Sequence, residues 1–157
     1  MIIRVRQEGL NLLLSSWGGR EGRIRDLSRP FFALAELLEQ DFARQFEAEG
    51  TPRWKPLAPS TRRQRRRLGF PPAHPILRRT GALMRSWTDG REHYRRVSPR
   101  RLVIGSRSDY AVYHQSLKPR RKLPRRAVHA LRKPVLAEFW RYLTNWVKYG
   151  DVRGEAF

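Results

Sequence analysis

Prolines divide this chain before any other feature does. Pro52, Pro56 and Pro59 are followed by Pro71, Pro72 and Pro75, all within residues 51–75. Each lacks a backbone donor and pushes its predecessor toward extended geometry, so neither a long helix nor a central strand can run through this stretch. Order there has to come from side chains, and Trp54 and Leu57 are placed to pin an ordered loop onto a core. Pro59-Ser60-Thr61 suits the first turn of a short helix carrying Arg62, Arg63, Arg65, Arg66 and Arg67. Mutual repulsion among these arginines predicts a basic arm that orders against a partner. Pro71-Pro72-Ala73-His74-Pro75 predicts a stiff spacer.

Regular structure is expected on either side. Residues 2–5 alternate weakly and suit a short edge strand, and Leu10, Leu13, Leu14 and Trp17 predict a short helix ended by Gly18-Gly19 and Gly22. The strongest signal is the stripe Phe31, Leu34, Leu38, Phe42 and Phe46, with Ser28 as cap, Pro30 in the first turn and Gly50 as the stop. Glu36, Glu39, Asp41, Glu47 and Glu49 are expected on its outer face with Arg44. Thr80 reads as the N-cap of a turn through Leu83 and Met84. Residues 86–88, 93–97 and 102–104 read as antiparallel strands, with Ser98-Pro99-Arg100 as a hairpin turn and Asp89-Gly90 as a turn or bulge. A short helix at 110–115 precedes a basic loop at 118–126. The last helix starts near Pro134 and presents Leu136, Phe139, Trp140, Leu143 and Val147 on one face before Gly150. The sum is an α+β chain of 157 residues, expected as one domain. In it a small antiparallel sheet is packed by one long helix of the N-terminal half and a C-terminal helix, with residues 1–27 as a strand and helix, 28–131 as the central part and 134–149 as the last helix.

Charge is confined to the middle. Of the 34 Lys and Arg, 24 lie between Thr51 and Lys133 with only Asp89, Glu92 and Asp109 to offset them, so the formal +20 belongs entirely to that segment. Such a field attracts polyanions, whether nucleic acid or an acidic protein surface; a solvated face decorated by arginine-rich codon usage explains the same count. The candidate contacts are Arg62, Arg63, Arg65, Arg66, Arg67, Arg120, Arg121, Lys122, Arg125 and Arg126. Aromatics interleave with the basic clusters at Trp54, Phe70, Trp87, Tyr94, Tyr110 and Tyr113, which superficially suits a single strand, but they fall where core is needed.

Chemistry has little raw material. The absence of cysteine removes disulfides and thiolate metal sites. No apolar run reaches a membrane-spanning length, and the first residues lack the zones of a secretion signal, so a soluble protein made in a cytoplasm, with no membrane partner, is expected. His74, His93, His114 and His129 are scattered without metal-helix spacing, and no phosphate-cradling glycine loop or nucleophile motif occurs. Asp109 with His114 is the one pair a nuclease could use, and a cap plus a hydrogen-bonding side chain explains it equally well. The expectation is a protein that is not an enzyme and needs no catalytic residue, metal or cofactor.

Several phrases recur in a fixed order. They are Phe46 to Gly50 (Phe-x-x-Glu-Gly), Trp54 to Thr61 (Trp-x-Pro-Leu-x-Pro-x-Thr), Ile76 to Ser86 (Ile-Leu-x-x-Thr-Gly-x-Leu-x-x-Ser), Val103 to Ser106 (Val-x-Gly-Ser with Ile104 inside), and Tyr110 to Gln115 (Tyr-Ala-x-x-His-Gln). Together, over roughly residues 28–131, they resemble the phage virion-morphogenesis, or tail-completion, family. The chain departs from that pattern where Gln115 is followed by Ser116-Leu117 instead of glycines, and where the later proline-arginine phrase reads Leu123 to Val128. The resemblance implies a non-enzymatic virion component acting in head-tail joining, at the neck or the head-proximal end of the tail, and made in the host cytoplasm. It implies a ring of identical subunits, a hexamer among the options, meeting neighbouring neck and tail proteins and the end of the packaged DNA. It assigns motif or interface roles to Trp54, Pro56, Leu57, Thr61, Leu77, Arg78, Thr80, Gly81, Leu83, Ser86, Tyr110, His114 and Gln115. A stand-alone basic nucleic-acid-binding protein is the alternative.

Overall fold

The computed structural model describes residues 2–6, 21–115, 124–128 and 131–153. Among them are strands β1 (Ile2–Arg6), β2 (His93–Ser98) and β3 (Arg101–Ser106), and helices α1 (Glu21–Arg25), α2 (Ser28–Glu47), α3 (Pro59–Arg67), α4 (Ala82–Thr88), α5 (Ala111–Gln115) and α6 (Lys133–Tyr149). The fold is α+β, and the sheet runs β1-β3-β2 with the first strand at an edge. The helix expected at 10–17 and most of the basic loop at 118–126 lie outside the described residues. Gly22, expected as a stop, instead lies inside α1.

Two compact units emerge. One takes the described residues of Glu39–Tyr94 and Gly105–Ala130, the other those of Ile2–Leu38, Arg95–Ile104 and Leu131–Phe157. Along α2 the apolar positions recur every three to four residues, and Phe31, Leu34, Ala35, Leu38, Phe42 and Phe46 are all buried. Its first turn is closed differently from expectation. Ser28 is a donor, its amide bonding Asp26 Oδ1 at 2.9 Å, and bonds from the Ser28 side chain and backbone hold the Asp26 carboxyl below its ordinary range. A carboxylate accepts from free amides better than a hydroxyl and also suits the positive end of the helix dipole.

In the unit holding the sheet, Phe31 stacks on Phe139 with centroids 6.2 Å apart. The inner face of α6 is Val135, Phe139, Leu143 and Val147, a straight i, i+4 row. Trp140 was expected in this row and is instead 53% exposed, while Leu136 is only half-buried. Both sit one position further round the helix, about 100° from the buried row. The last carbonyls of α6 find donors outside their helix: an Arg23 Nη1 donates to the oxygens of Val147 and Lys148 at 3.3 and 3.0 Å. Trp146 Nε1 returns bonds to the carbonyls of Arg23 and Asp26 at 2.8 and 3.0 Å, so α1 is tied to α6 in both directions. β3 is buried along Leu102 to Ser106, as a middle strand should be, and Pro99 at the hairpin turn accepts the Leu27 amide at 3.0 Å.

In the other unit the strand expected at 86–88 is the end of α4. Ser, Trp and Thr favour strands locally, but here Leu83 and Trp87, four apart, are buried together, and Trp87 meets Phe42 edge-to-face at 5.3 Å. Burial of a whole indole outweighs a propensity difference of a few tenths of a kcal/mol.

Phe42→Ala is expected to cost about 3–5 kcal/mol and Trp140→Ala less than about 0.5 kcal/mol, read from urea denaturation of the two variants beside the wild type.

Candidate functional site

At the end of α2 the backbone turns left-handed twice, at Glu49 (φ 56°) and Gly50 (φ 96°). That turn carries the Glu49 side chain inward instead of onto the outer face. Its carboxylate accepts from His74 Nδ1 at 2.8 Å and from the Ile76 amide at 2.9 Å, and its carbonyl accepts the Trp54 amide at 2.7 Å. Burial opposes the charge, yet the bonds from His74 and Ile76 and the charges of His74 and Arg53 prevail and hold the Glu49 carboxyl below its usual 4.5. Asp41, also expected outside, is buried as well.

The proline loop is fastened at both ends. Gln45 Oε1 accepts the Thr51 amide at 2.9 Å. Trp54 lies edge-to-face on Phe46 at 5.7 Å and donates its indole N–H to the Ala127 carbonyl at 3.2 Å. A Cβ at Gly50 would overlap the Trp54 ring, so this glycine is required both for its positive φ and for the close approach.

α3 begins at Pro59, where a missing N–H costs nothing. Its arginines divide by face. Arg62, Arg63, Arg66 and Arg67 are exposed, whereas Arg65 is buried and donates to the Pro75 carbonyl at 2.9 Å. Arg62 also donates Nε to the Leu57 carbonyl at 2.9 Å. Arg126 is likewise buried, with Nε and Nη2 on the Lys55 carbonyl at 3.1 and 3.0 Å and Nη2 on that of Pro56 at 3.2 Å. Neither Arg65 nor Arg126 therefore belongs to an exposed basic arm. Proline-broken backbone leaves carbonyls without helical or sheet partners, and a guanidinium with five donors satisfies several at once. Desolvation lowers the pKa of both arginines, aided by Arg79 for Arg65 and by Arg65 for Arg126.

The ordered sequence phrases prove to be physically joined. Ser86 Oγ donates to the Leu83 carbonyl and receives the Ser106 hydroxyl, both at 2.8 Å, and Ser106 Oγ accepts the Ser108 amide at 3.1 Å. Gln115 Oε1 accepts the Val128 amide at 3.0 Å, and the His114 carbonyl accepts that of Arg126 at 3.0 Å. Gly81, at φ 75°, occupies the N-cap of α4; the Thr80 hydroxyl sits one residue earlier than expected and accepts the Ala82 amide at 3.4 Å, a long bond. Leu83, Ser86 and Gln115 are buried, Thr61, Leu77 and Arg78 half-buried, and Pro56, Thr80 and Tyr110 exposed. Arg125 is exposed, while Arg120, Arg121 and Lys122 lie outside the described residues.

Between the proline loop, α3, Leu77, Arg79, His114 and Pro124 to Arg126 lies a cavity of about 800 Å³. Burial and the nearby Arg126 lower the His114 pKa, favouring the neutral ring. Among the described residues no hydrogen bond joins Asp109 to His114. Among the described residues, no group of three His, Cys, Asp or Glu could hold a metal ion, and no helix is long and apolar enough to cross a membrane. Sequence reasoning missed the inward positions of Glu49, Arg65 and Arg126 and the bond that the exposed His74 makes to Glu49. The available signal for Glu49 was its place in the Phe-x-x-Glu-Gly phrase, directly before a glycine.

A model described as the phage virion morphogenesis family matches residues 7–135. No curated protein and no solved structure matches the chain.

Two outcomes follow for stability. The contribution of Glu49 is full above pH 4.5 and lost as pH falls through its depressed folded value, because the unfolded chain then binds the proton more tightly. Glu49→Gln is thus expected to melt lower than wild type at pH 7, with the gap closing below pH 4.5 in thermal scans across pH. Gly50→Ala is expected to lose about 1–3 kcal/mol from backbone strain alone, and more from the Trp54 overlap, in the same assay.

Proposed function

From the premise that the chain belongs to the phage virion morphogenesis family, we propose that it acts in tail completion, joining head and tail as a ring of identical subunits. Membership carries a structural role in the phage particle; the position at the neck or head-proximal tail end and the ring are our reading. The observation that carries it is the joining of the family phrases by buried and half-buried bonds, Trp54 to Ala127, Arg126 to Lys55, Gln115 to Val128 and Ser86 to Ser106. Such bonds invest the polar groups in holding shape. Side chains converging for catalysis would instead be left poised toward a substrate.

A ring built from head-to-tail contacts needs each subunit to offer one surface and receive another. The exposed row Arg62, Arg63, Arg66 and Arg67 supplies an offered surface of one sign. The same exposed row favours a second reading, a nucleic-acid-binding protein, since four arginines on one short helix can track phosphates.

Serine at positions 62, 63, 66 and 67, with Arg65 retained, is expected to leave the melting temperature near wild type while abolishing co-assembly with tail and neck proteins in native mass spectrometry. A wild-type chain that stays monomeric and enters no particle counts against the ring. Tight DNA binding whose logarithm falls with log salt by roughly 0.7–0.9 per phosphate contacted, abolished by the same four serines, would favour the second reading.

A further inference from the structure

The cavity of about 800 Å³ combines three properties that nothing within the described chain uses. First, its floor is apolar, built by Leu57, Leu77 and Pro124. Second, the charged side chains that line it are all basic, with Lys55, Arg79 and Arg125 beside the buried Arg65 and Arg126, and no Asp or Glu among them. Glu49, the acid whose charge reaches Arg65, already has its oxygens on His74 and the Ile76 amide. Third, Arg65 and Arg126 are fixed by carbonyls before any ligand arrives, and these carbonyl bonds occupy only part of a guanidinium's five donors. Cations are held together here against their mutual repulsion, and among the described residues the buried His114 Nδ1 meets no hydrogen-bond partner.

We infer that this cavity is a socket for an extended acidic segment of a neighbouring virion protein, its carboxylates on the arginines and an apolar side chain on the leucine floor. Size fits a few side chains of such a segment: pockets that bury drug-sized ligands run roughly 300–1,000 Å³. Chemistry separates this occupant from nucleic acid. A single strand binds by stacking its bases on aromatic rings, and no Phe, Tyr or Trp lines the cavity. Phosphates have no use for an apolar floor, whereas a peptide alternating carboxylate and aliphatic side chains uses both surfaces. Arginine forks held in place match carboxylates in two-point contact.

The inference rests on the structural reading above for the kind of partner, a protein. Its test uses the isolated chain, so failure of the socket leaves ring assembly untouched and failure of the ring leaves the socket untouched. The probe is an acetylated and amidated hexapeptide alternating glutamate and leucine. The controls are its glutamine counterpart and hexathymidylate, followed by NMR of assigned histidine rings and by calorimetry. The glutamate peptide is expected to shift the His114 resonances and the glutamine peptide to leave them in place. Arg79→Glu and Arg125→Glu should each weaken binding at least about tenfold without lowering the melting temperature; Arg125 is exposed, and Arg79 lies over the Phe70 ring at 5.6 Å with its charge opposed to that of Arg65. No shift at His114, or binding indifferent to both charge reversals, would overturn the socket. Displacement of the peptide by hexathymidylate at equal or lower concentration would make nucleic acid the occupant.

Discussion

At the end of α2 a carboxylate is buried at the entrance to the most positive stretch of the chain, and the backbone closes round it. Glu49 is held at the foot of the proline loop by its own carbonyl, which takes the Trp54 amide. Its side chain reaches forward some 25 residues to His74 and Ile76. One residue thus joins the beginning and end of the segment in which prolines forbid ordinary backbone ladders. Everything between, the loop, α3 and the turn at Pro75, is bracketed by that acid. Its burial is tolerated because each oxygen is met by a donor, the condition under which a buried charge ceases to be a liability.

This dependence explains which parts of the fold could be read from residues alone. α2 was legible because five bulky side chains at helical spacing leave no other way to bury them. The hairpin was legible because Pro99 interrupts two runs of strand formers. Glu49 was not, because its inward position follows from two successive left-handed residues, and only the second is a glycine that announces itself. Residues 86–88 carried strand-forming side chains, yet Trp87 is drawn under Phe42 and takes a helical backbone with it. The last helix was found with Phe139, Leu143 and Val147 on its buried face but with Leu136 and Trp140 added in place of Val135, since Val135 and Leu136 are interchangeable to a periodicity argument and packing on Phe31 centres the face on Phe139. At the candidate site the phrases themselves were visible in order. Their physical connection was not, because a bond such as Gln115 to Val128 or Trp54 to Ala127 spans separations that no local pattern encodes.

The positive charge likewise has two populations that composition merges. Arg65 and Arg126 serve backbone carbonyls and are inside; Arg62, Arg63, Arg66 and Arg67 lie outside on the same short helix or its neighbourhood. The first population exists because of the prolines. A loop rich in proline has acceptors to spare and donors missing, and arginine is the side chain that supplies most donors per residue. Basic character in this segment is therefore partly a structural consequence of its backbone.

That division bears on how such a protein can couple to its neighbours. A free arginine loses rotamer entropy when it is immobilised at an interface, a cost of about 0.5–1.5 kcal/mol per side chain. Arg65 and Arg126 have already lost that freedom in folding, because the carbonyls of Pro75, Lys55 and Pro56 orient them. The carboxylate of a partner meeting them faces donors whose positions do not have to be found. Arg79 repels Arg65, and Arg65 repels Arg126, against which the charge of Glu49 acts on Arg65. Among the described residues that line the cavity no Asp or Glu stands beside these cations, so their orientation is set by backbone carbonyls alone.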